Sequence, residues 1–497
     1  MKKVRKSAAM LVLFALLCTL ILVPAAHATN GMNLEGYGPI ATGMGGASMA
    51  YDNGTAAMMN NPATLSLMDS NARLDVAFGT LGPNITSKAP GEPDAESSAD
   101  LFMMPAFGYA RKGGQLTYGM GVFAQGGMGT EYSADSFLAA GSNDIVRSEV
   151  AMGRFLIPVS YKIDDKFIIG GSLDFVWASM DLKMALGGAQ FGDMVAQLGG
   201  TQSSGTASGS MVDSLAGAFM PGSCGPGVPC LSDMNWARFD FSDQSDFSGK
   251  AKGNGFGAKI GGVLKASKDL TFGVAYHTKT AISDLEATGA TLSMNVVGAA
   301  TGGNAMTVPV TGDIKVKNFQ WPRMLGLGTA YKASPKLTVV FDYKWINWAD
   351  VMKNFKMTFT SYTTQAGAAG PGGFNLGGQT VDAVMYQNWK NQHVFMLGAA
   401  YNFTDAFVGR AGLNIAGNPI PDQYMNPLFP ATIKNHIMLG GGYAFTKSSS
   451  VDFSFTYAPE VEATTQVLAG PASGAVTVPV TVTHSQNNMQ VMYSYKF

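Results

Sequence analysis

"NNMQVMYSYKF", residues 487–497, puts Met489, Val491, Tyr493, Tyr495 and Phe497 on one face of an extended chain. Gln490, Ser494 and Lys496 fall on the other. Alternation at a period of two is strand geometry, because successive side chains of a strand point to opposite faces. The pattern recurs along the chain. In residues 451–457, Val451, Phe453, Phe455 and Tyr457 oppose Asp452, Ser454 and Thr456. In residues 337–345, Leu337, Val339, Phe341, Tyr343 and Trp345 oppose Thr338, Asp342 and Lys344. In residues 167–177, Phe167, Ile169, Leu173, Phe175 and Trp177 alternate with Gly170, Ser172 and Asp174. Residues 270–277, 395–403 and 437–445 alternate likewise, with Gly, Ala, Asn or Met as the second set.

A β-sandwich alternates too, so the connections decide the architecture. Some are tight, as in "YKIDDKF" (161–167), "YKASPKLTV" (331–339), "YNFTDAFVG" (401–409) and "YAFTKSSSVDF" (443–453). Others are long and polar or Gly-rich: about 184–250, 354–387, 415–432 and 461–483. Short turns on one rim and long loops on the other are the signature of an up-and-down membrane barrel. Tyr161, Tyr331, Tyr401, Phe403, Tyr443 and Phe445 sit beside the short turns, where an aromatic girdle belongs. The expected fold is therefore an all-β transmembrane antiparallel barrel. Twelve to sixteen strand candidates lie between Arg73 and the end, and an even number is expected. The aromatic finish at Phe497 resembles the C-terminal signature of bacterial outer-membrane barrels, which the insertion machinery reads.

The N-terminus fits that destination. Lys2, Lys3, Arg5 and Lys6 precede an apolar run over 11–23, and Ala26-His27-Ala28 reads as a cleavage site, so residues 1–28 are expected to be a signal peptide. An uncleaved anchor is the competing reading, disfavoured by a run short for a membrane span. No later segment is apolar enough for a spanning helix. Charged residues make up only 13% of the chain and the net charge is -1, which leaves no basic face for nucleic acid. Cys224 and Cys230, in "CGPGVPC", read as a small disulfide loop of an exported protein. No metal cluster, phosphate loop, G-x-S-x-G or H-E-x-x-H stands in the sequence, so no catalytic site, metal or cofactor is expected. Asp342, Lys344, Asp452, His436 and Arg410 fall on the lumenal face, as cross-strand braces or as contacts for a ligand head group.

Before the first strand comes a different kind of segment, "GMGGASMAYDNGTAAMMNNPATL" (43–65), small and nearly uncharged. Asn61 followed by Pro62 reads as an N-cap and first helical residue. Gly43, Gly45 and Gly46 permit close packing and positive φ. Such a segment suits a confined space like a barrel lumen; a flexible leader is the alternative, and the scarcity of charge argues against it.

These residues carry a resemblance. Gly43, Gly45, Ala47, Asp52, Asn61, Pro62 and Ala63 match the N-terminal hatch of the outer-membrane long-chain fatty-acid and aromatic-hydrocarbon transporters, the FadL/TodX type. "DYKWINWADV" (342–351) resembles that family's Trp-containing strand, and residues 408–445 resemble its late hairpin. The resemblance implies a monomeric barrel of about 14 strands (71–497), plugged by a hatch (29–70) whose gating residues would be Gly43, Gly45, Gly46, Asp52, Asn61, Pro62 and Ala63. It implies passive uptake of a hydrophobic small molecule from an extracellular groove to an inner pocket, with sideways exit through a gap beside a kinked strand. Outer-membrane lipid and lipopolysaccharide would surround the wall. Arg410 and Arg154 are the head-group candidates. One departure stands out: the family pairs two acids in the hatch, whereas here Asp52 is followed by Asn53. A general or solute-selective porin and a surface-adhesive barrel are the competing functions. The low charge and the hatch argue against the porin.

Overall fold

A computed structural model describes residues 30–245, 249–365 and 375–497. The expected signal peptide, residues 1–28, lies outside the described residues.

The wall is built from β1 (Ala72–Lys88), β2 (Phe102–Gly113), β3 (Leu116–Tyr132), β4 (Val146–Lys162), β5 (Phe167–Gly187), β6 (Ala251–Lys265) and β7 (Leu270–His277). It continues through β8 (Met324–Lys332), β9 (Leu337–Ile346), β10 (Gln392–Asn402), β11 (Phe407–Ala416), β12 (Asn435–Ala444), β13 (Ser449–Ala469) and β14 (Val476–Lys496). Each pairs antiparallel with the next. The last returns to the first, with Lys496 opposite Arg73 and Thr481 opposite Lys88. The ring so traced has fourteen members. Among the described residues eight further strands of the same sheet lie outside it, which a count of about fourteen did not include. Closure pairs the first strand with the last, as a lipid environment favours, because an unpaired backbone group there has no water to turn to.

The alternation seen in the sequence is realised as lipid face and lumen face. Phe167, Ile169, Leu173, Phe175 and Trp177 of β5 are exposed, and Ser172 and Asp174 between them are buried. Above Trp177 the alternation stops and β5 becomes buried on both sides. An alternating stretch of about 9–11 residues is what a tilted strand needs to cross a bilayer. The girdle residues Tyr161, Tyr331, Tyr401, Phe403, Tyr443 and Phe445 are all exposed beside the short turns.

Beyond the bilayer, β5 forks. Its lower part pairs with β6, and residues from Leu182 to Gly187 pair instead with the strand Asp233–Phe241. From there the outer sheet runs on through Leu285–Val297, Met306–Lys317, Asn354–Ser361, Thr380–Tyr386 and Gly205–Ser208. Three of the stretches expected as loops are therefore folded. Residues 184–250 hold two strands and the helices Gly188–Met194 and Ser210–Ala218, 354–387 contain a paired hairpin, and 461–483 are mostly the upper ends of β13 and β14. Their Gly and Ser content hid short strands that are stabilised by neighbours rather than by propensity. Cys224 and Cys230 are disulfide-bonded within this lobe.

Candidate functional site

The segment 30–71 fills the lumen. Nearly every residue from Asn30 to Leu65 is buried. It consists of tight turns and single helical turns: Pro39–Thr42, Gly54–Met58 and Pro62–Leu67. Asn61 caps the last of these, its side chain accepting from the Ala63 amide at 3.1 Å, as its sequence position predicts. Its amide nitrogen donates to the carbonyl of Met49 at 2.7 Å.

The hatch is held to the wall by polar groups that point inward. Asp342 of β9 accepts from the amides of Ser48 (2.6 Å) and Met49 (2.9 Å). Asp75 of β1 accepts from the Thr55 amide (2.7 Å) and hydroxyl (2.9 Å), and is itself paired with Arg73 at 2.8 Å. Asp52 caps Gly54 through a 2.9 Å bond to its amide. At Asn53, where the resemblance led to the expectation of a second acid, the side-chain oxygen accepts from Asn60 at 3.1 Å and the nitrogen donates to Ser48 and Tyr51 carbonyls. An amide can do both jobs; a carboxylate could only accept. Gly45 and Gly46 have φ of +76° and +83°. Gly43 instead sits in the right-handed helical region, so close packing against Gly440 and Arg410 is its role, not positive φ.

The two arginines are both committed to ion pairs. Arg410 meets Asp452 at 2.8 Å near the hatch. Arg154 is wholly buried, 2.8 Å from Asp174, and donates to Gln125; Lys259 meets the same Asp174. Neither arginine borders the cavities described next. The arrangement joins β4, β5 and β6, and it makes these residues braces of the wall.

Among the described residues the register of the ring slips in two places, between Ala458 and Val461 of β13 and between Ala124 and Gly126 of β3, and only beside the second does a ladder between ring neighbours end early. β2 and β3 pair from Gly113–Leu116 up to Ala106–Phe123, and there their ladder ends. β2 stays paired to β1 as far as Phe102, and β3 to β4 as far as Tyr132. The register of β3 against β4 slips between Ala124 and Gly126, leaving Gln125 as an extra residue that bends the strand. Higher up the two sides meet again, where the Ser98 amide donates to the Glu131 carbonyl at 2.8 Å. Between these levels is a window, with residues 102–105 on one side and 124–129 on the other. Pro105 has no N–H to give a ladder. Met103 lies level with Thr80, and Thr80 with Met489; both methionines are exposed on the outer face, so the window opens at the apolar band. From inside, Asn33 pairs with Gly126 across it. Sequence reading missed this site. Its only signals were a proline in "FMMPAF" and the Gly pair in "FAQGGMG".

Behind the window is a cavity of about 230 Å³, lined by Met32, Leu34, Phe102, Met104, Met128 and Val150 among others. Pro105, Gly126 and Gly127 of the window border it too. A larger groove of about 690 Å³ opens among the extracellular segments, bordered by Phe137, Leu138, Met184, Met385, Met425 and Val467. It draws on all four stretches expected as loops. Between groove and cavity lies the segment 427–431: Leu428 borders the groove and Ala431 the cavity. The partition is pinned by its carbonyls. Tyr132 donates to Pro427 at 2.9 Å, Thr130 to Leu428 at 3.2 Å, Ser148 also to Leu428, and His484 to Pro430 at 2.9 Å.

Residues 16–497 match the family model described as "Outer membrane protein transport protein (OMPP1/FadL/TodX)". The toluene transporter TodX of P. putida superposes with a TM-score of 0.74 and 28% identity, covering 94% of this chain and 99% of that one. The toluene transporter TbuX of Ralstonia pickettii gives 0.70 and 26%, over 94% and 99%. Outer membrane protein P1 of Haemophilus influenzae is 25% identical over 203 residues, 41% of this chain and 38% of that protein. An uncharacterized protein of Chlorobium limicola is 40% identical over 112 residues, 22% of this chain and 54% of the relative. The chain thus spans about half or less of the curated relatives it matches.

Proposed function

The chain belongs to the OMPP1/FadL/TodX family of outer-membrane transport proteins, and from that premise we propose that it takes up hydrophobic molecules passively and releases them sideways into the outer membrane. Its place is the bacterial outer membrane, and its family is one of transport channels, which supports a non-catalytic role. The observation that carries the proposal is the continuity of one mainly apolar cavity with a window in the barrel wall at the apolar band. A molecule collected in the extracellular groove passes the 427–431 partition, enters the cavity and leaves through the window. Its apolar surface stays out of water on the way, at roughly 25 cal/mol per Å² of exposure avoided. The hatch residues Gly43, Gly45, Gly46, Asp52, Asn61, Pro62 and Ala63 keep the lumen shut to water and small solutes. Movement of Asn33 away from Gly126 widens the exit. Such a route needs only a downhill gradient, no cofactor and no partner beyond the lipid around it, and it operates in a single barrel.

The test is uptake of toluene and of a long-chain fatty acid by cells with and without the gene. Loss of either uptake in the deletion, with sugar permeability unchanged, supports the reading. Unchanged uptake of both with a fall in sugar permeability makes the barrel a porin.

A further inference from the structure

We propose that His436 and His484 form a polar subsite in the lining of the inner cavity that takes the hydroxyl of a small aromatic alcohol of the phenol class. The inference rests on the uptake reading above and names the substrate of its inner site.

The cavity is not uniformly apolar. Glu35, Glu149, His436, His484 and Gln486 border it together with the methionines and Phe102. His436 is 2% exposed and His484 5%. His484 Nδ1 lies 2.9 Å from the Pro430 carbonyl, which can only accept, so Nδ1 carries the hydrogen. The neutral ring then presents Nε2 as an acceptor, and Nε2 has no partner among the described residues. Nor has Nδ1 of His436. Buried polar atoms are nearly always paired, and two orphans on residues that border one cavity ask for a further polar group.

The surroundings say which group. Glu35 is buried, with its Oε1 accepting from Asn488 at 3.0 Å. Glu149, paired with Arg147 at 2.6 Å, stands on the same cavity. The Glu35 carboxylate and a lone-pair nitrogen make an acceptor-rich stretch of the lining, which repels a fatty-acid carboxylate and welcomes a neutral donor. A hydroxyl is that donor, and it can also accept from a ring N–H. The size agrees. A dry cavity of about 150 Å³ takes a benzene ring, so 230 Å³ has room for one substituted ring.

The experiment uses full-length protein in lipid nanodiscs, with toluene and 4-methylphenol competing for it. Empty discs correct for partition into lipid. The two probes differ by one hydroxyl. The expected result is a preference for 4-methylphenol of about tenfold to a hundredfold, the range for making or missing a buried hydrogen bond. His484→Asn keeps a donor for Pro430 and loses the acceptor at Nε2; it should erase the preference and leave toluene binding in place. His484→Gln offers an acceptor near the Nε2 position and should retain the preference. Equal binding of both probes by the unchanged protein overturns the subsite while leaving uptake standing. So does an identical shift in both variants, which would mean that His484 only anchors the partition. Binding of neither probe removes the inner site, and the uptake reading with it.

Discussion

Gly412 of β11 lies so close to Gly45 of the hatch that a Cβ on Gly412 would come within 2.0 Å of the Gly45 nitrogen. A Cβ on Gly45 would in turn meet the carbonyls of Leu397 and Leu413 at 2.6 Å. Two backbones are packed face to face, and neither can yield by rotating a side chain. Gly412→Ala should therefore push the hatch off the wall, at a strain of about 1–3 kcal/mol. The ladders of β11 to β10 and β12 do not involve that face, so the barrel should still form. The expected outcome is a variant with normal heat-modifiable migration on gels and raised ion conductance in planar bilayers. Conductance equal to that of the unchanged protein would show that the contact does not seal the lumen.

Asp342 makes a second, polar contact of the same kind, with both Ser48 and Met49 amides on one carboxylate oxygen. Asp342→Ala orphans two buried donors, and each such loss costs about 1–3 kcal/mol. Hydrogen exchange should rise at Ser48 and Met49 by roughly tenfold or more while the β9 amides stay protected. Asp342→Asn, which keeps a carbonyl acceptor, should show a smaller rise. Equal exchange in all three proteins would place the latch elsewhere.

How much of this was readable beforehand differs from feature to feature. The wall was legible because period two is a local property: Phe341, Asp342 and Tyr343 declare their faces within three residues. The hatch was legible because small residues and the Asn61–Pro62 cap depart from that period. The window was not, since a ladder that ends at Ala106–Phe123 is a relation between strands, and the Gly-rich stretch around Gln125 masks the bulge. Arg154 and Arg410 could be seen as charges on the lumenal face. A cross-strand brace was an expected role for Arg410 and Asp452, but the partners Asp452 and Asp174 sit on other strands, so which pairs form could not be seen. His484 was passed over for the same reason: its meaning depends on Pro430, 54 residues away.

The partition between groove and cavity yields a third prediction. Tyr132→Phe removes the donor to the Pro427 carbonyl and leaves the ring in place. Thr130 and Ser148 still hold Leu428, so the segment should loosen without unfolding. A net loss of about 1 kcal/mol corresponds to roughly fivefold more opening. Exchange at Leu428 and Phe429, whose amides bond within the segment, should increase accordingly. If passage over the partition limits transport, toluene uptake should also become faster. Slower uptake would mean that Tyr132 shapes the path rather than bars it.

The exit can be tested by repairing the strand. Gln125 is the extra residue of the bulge, with Ala124 opposite Gly153 and Gly126 opposite Met152. Deleting Gln125 keeps every residue above it in its present register with β4, and it removes the bend that carries β3 away from β2. The two edges can then continue the ladder beyond Ala106–Phe123, with Pro105 the one position unable to donate. Gln125 also contacts Tyr37 and Arg154, so the deletion needs a companion that keeps the bend. Gln125→Ala removes those contacts and leaves the backbone count unchanged. Exit through the window predicts that the deletion lowers toluene uptake at least tenfold, while Gln125→Ala transports at near the normal rate. Toluene binding in nanodiscs should survive in both, because the inner cavity is lined mainly by other residues. Should the deletion protein transport normally with β2 and β3 paired, as read from protection of the 124–129 amides, the molecule leaves by another way, past the hatch toward the periplasmic rim.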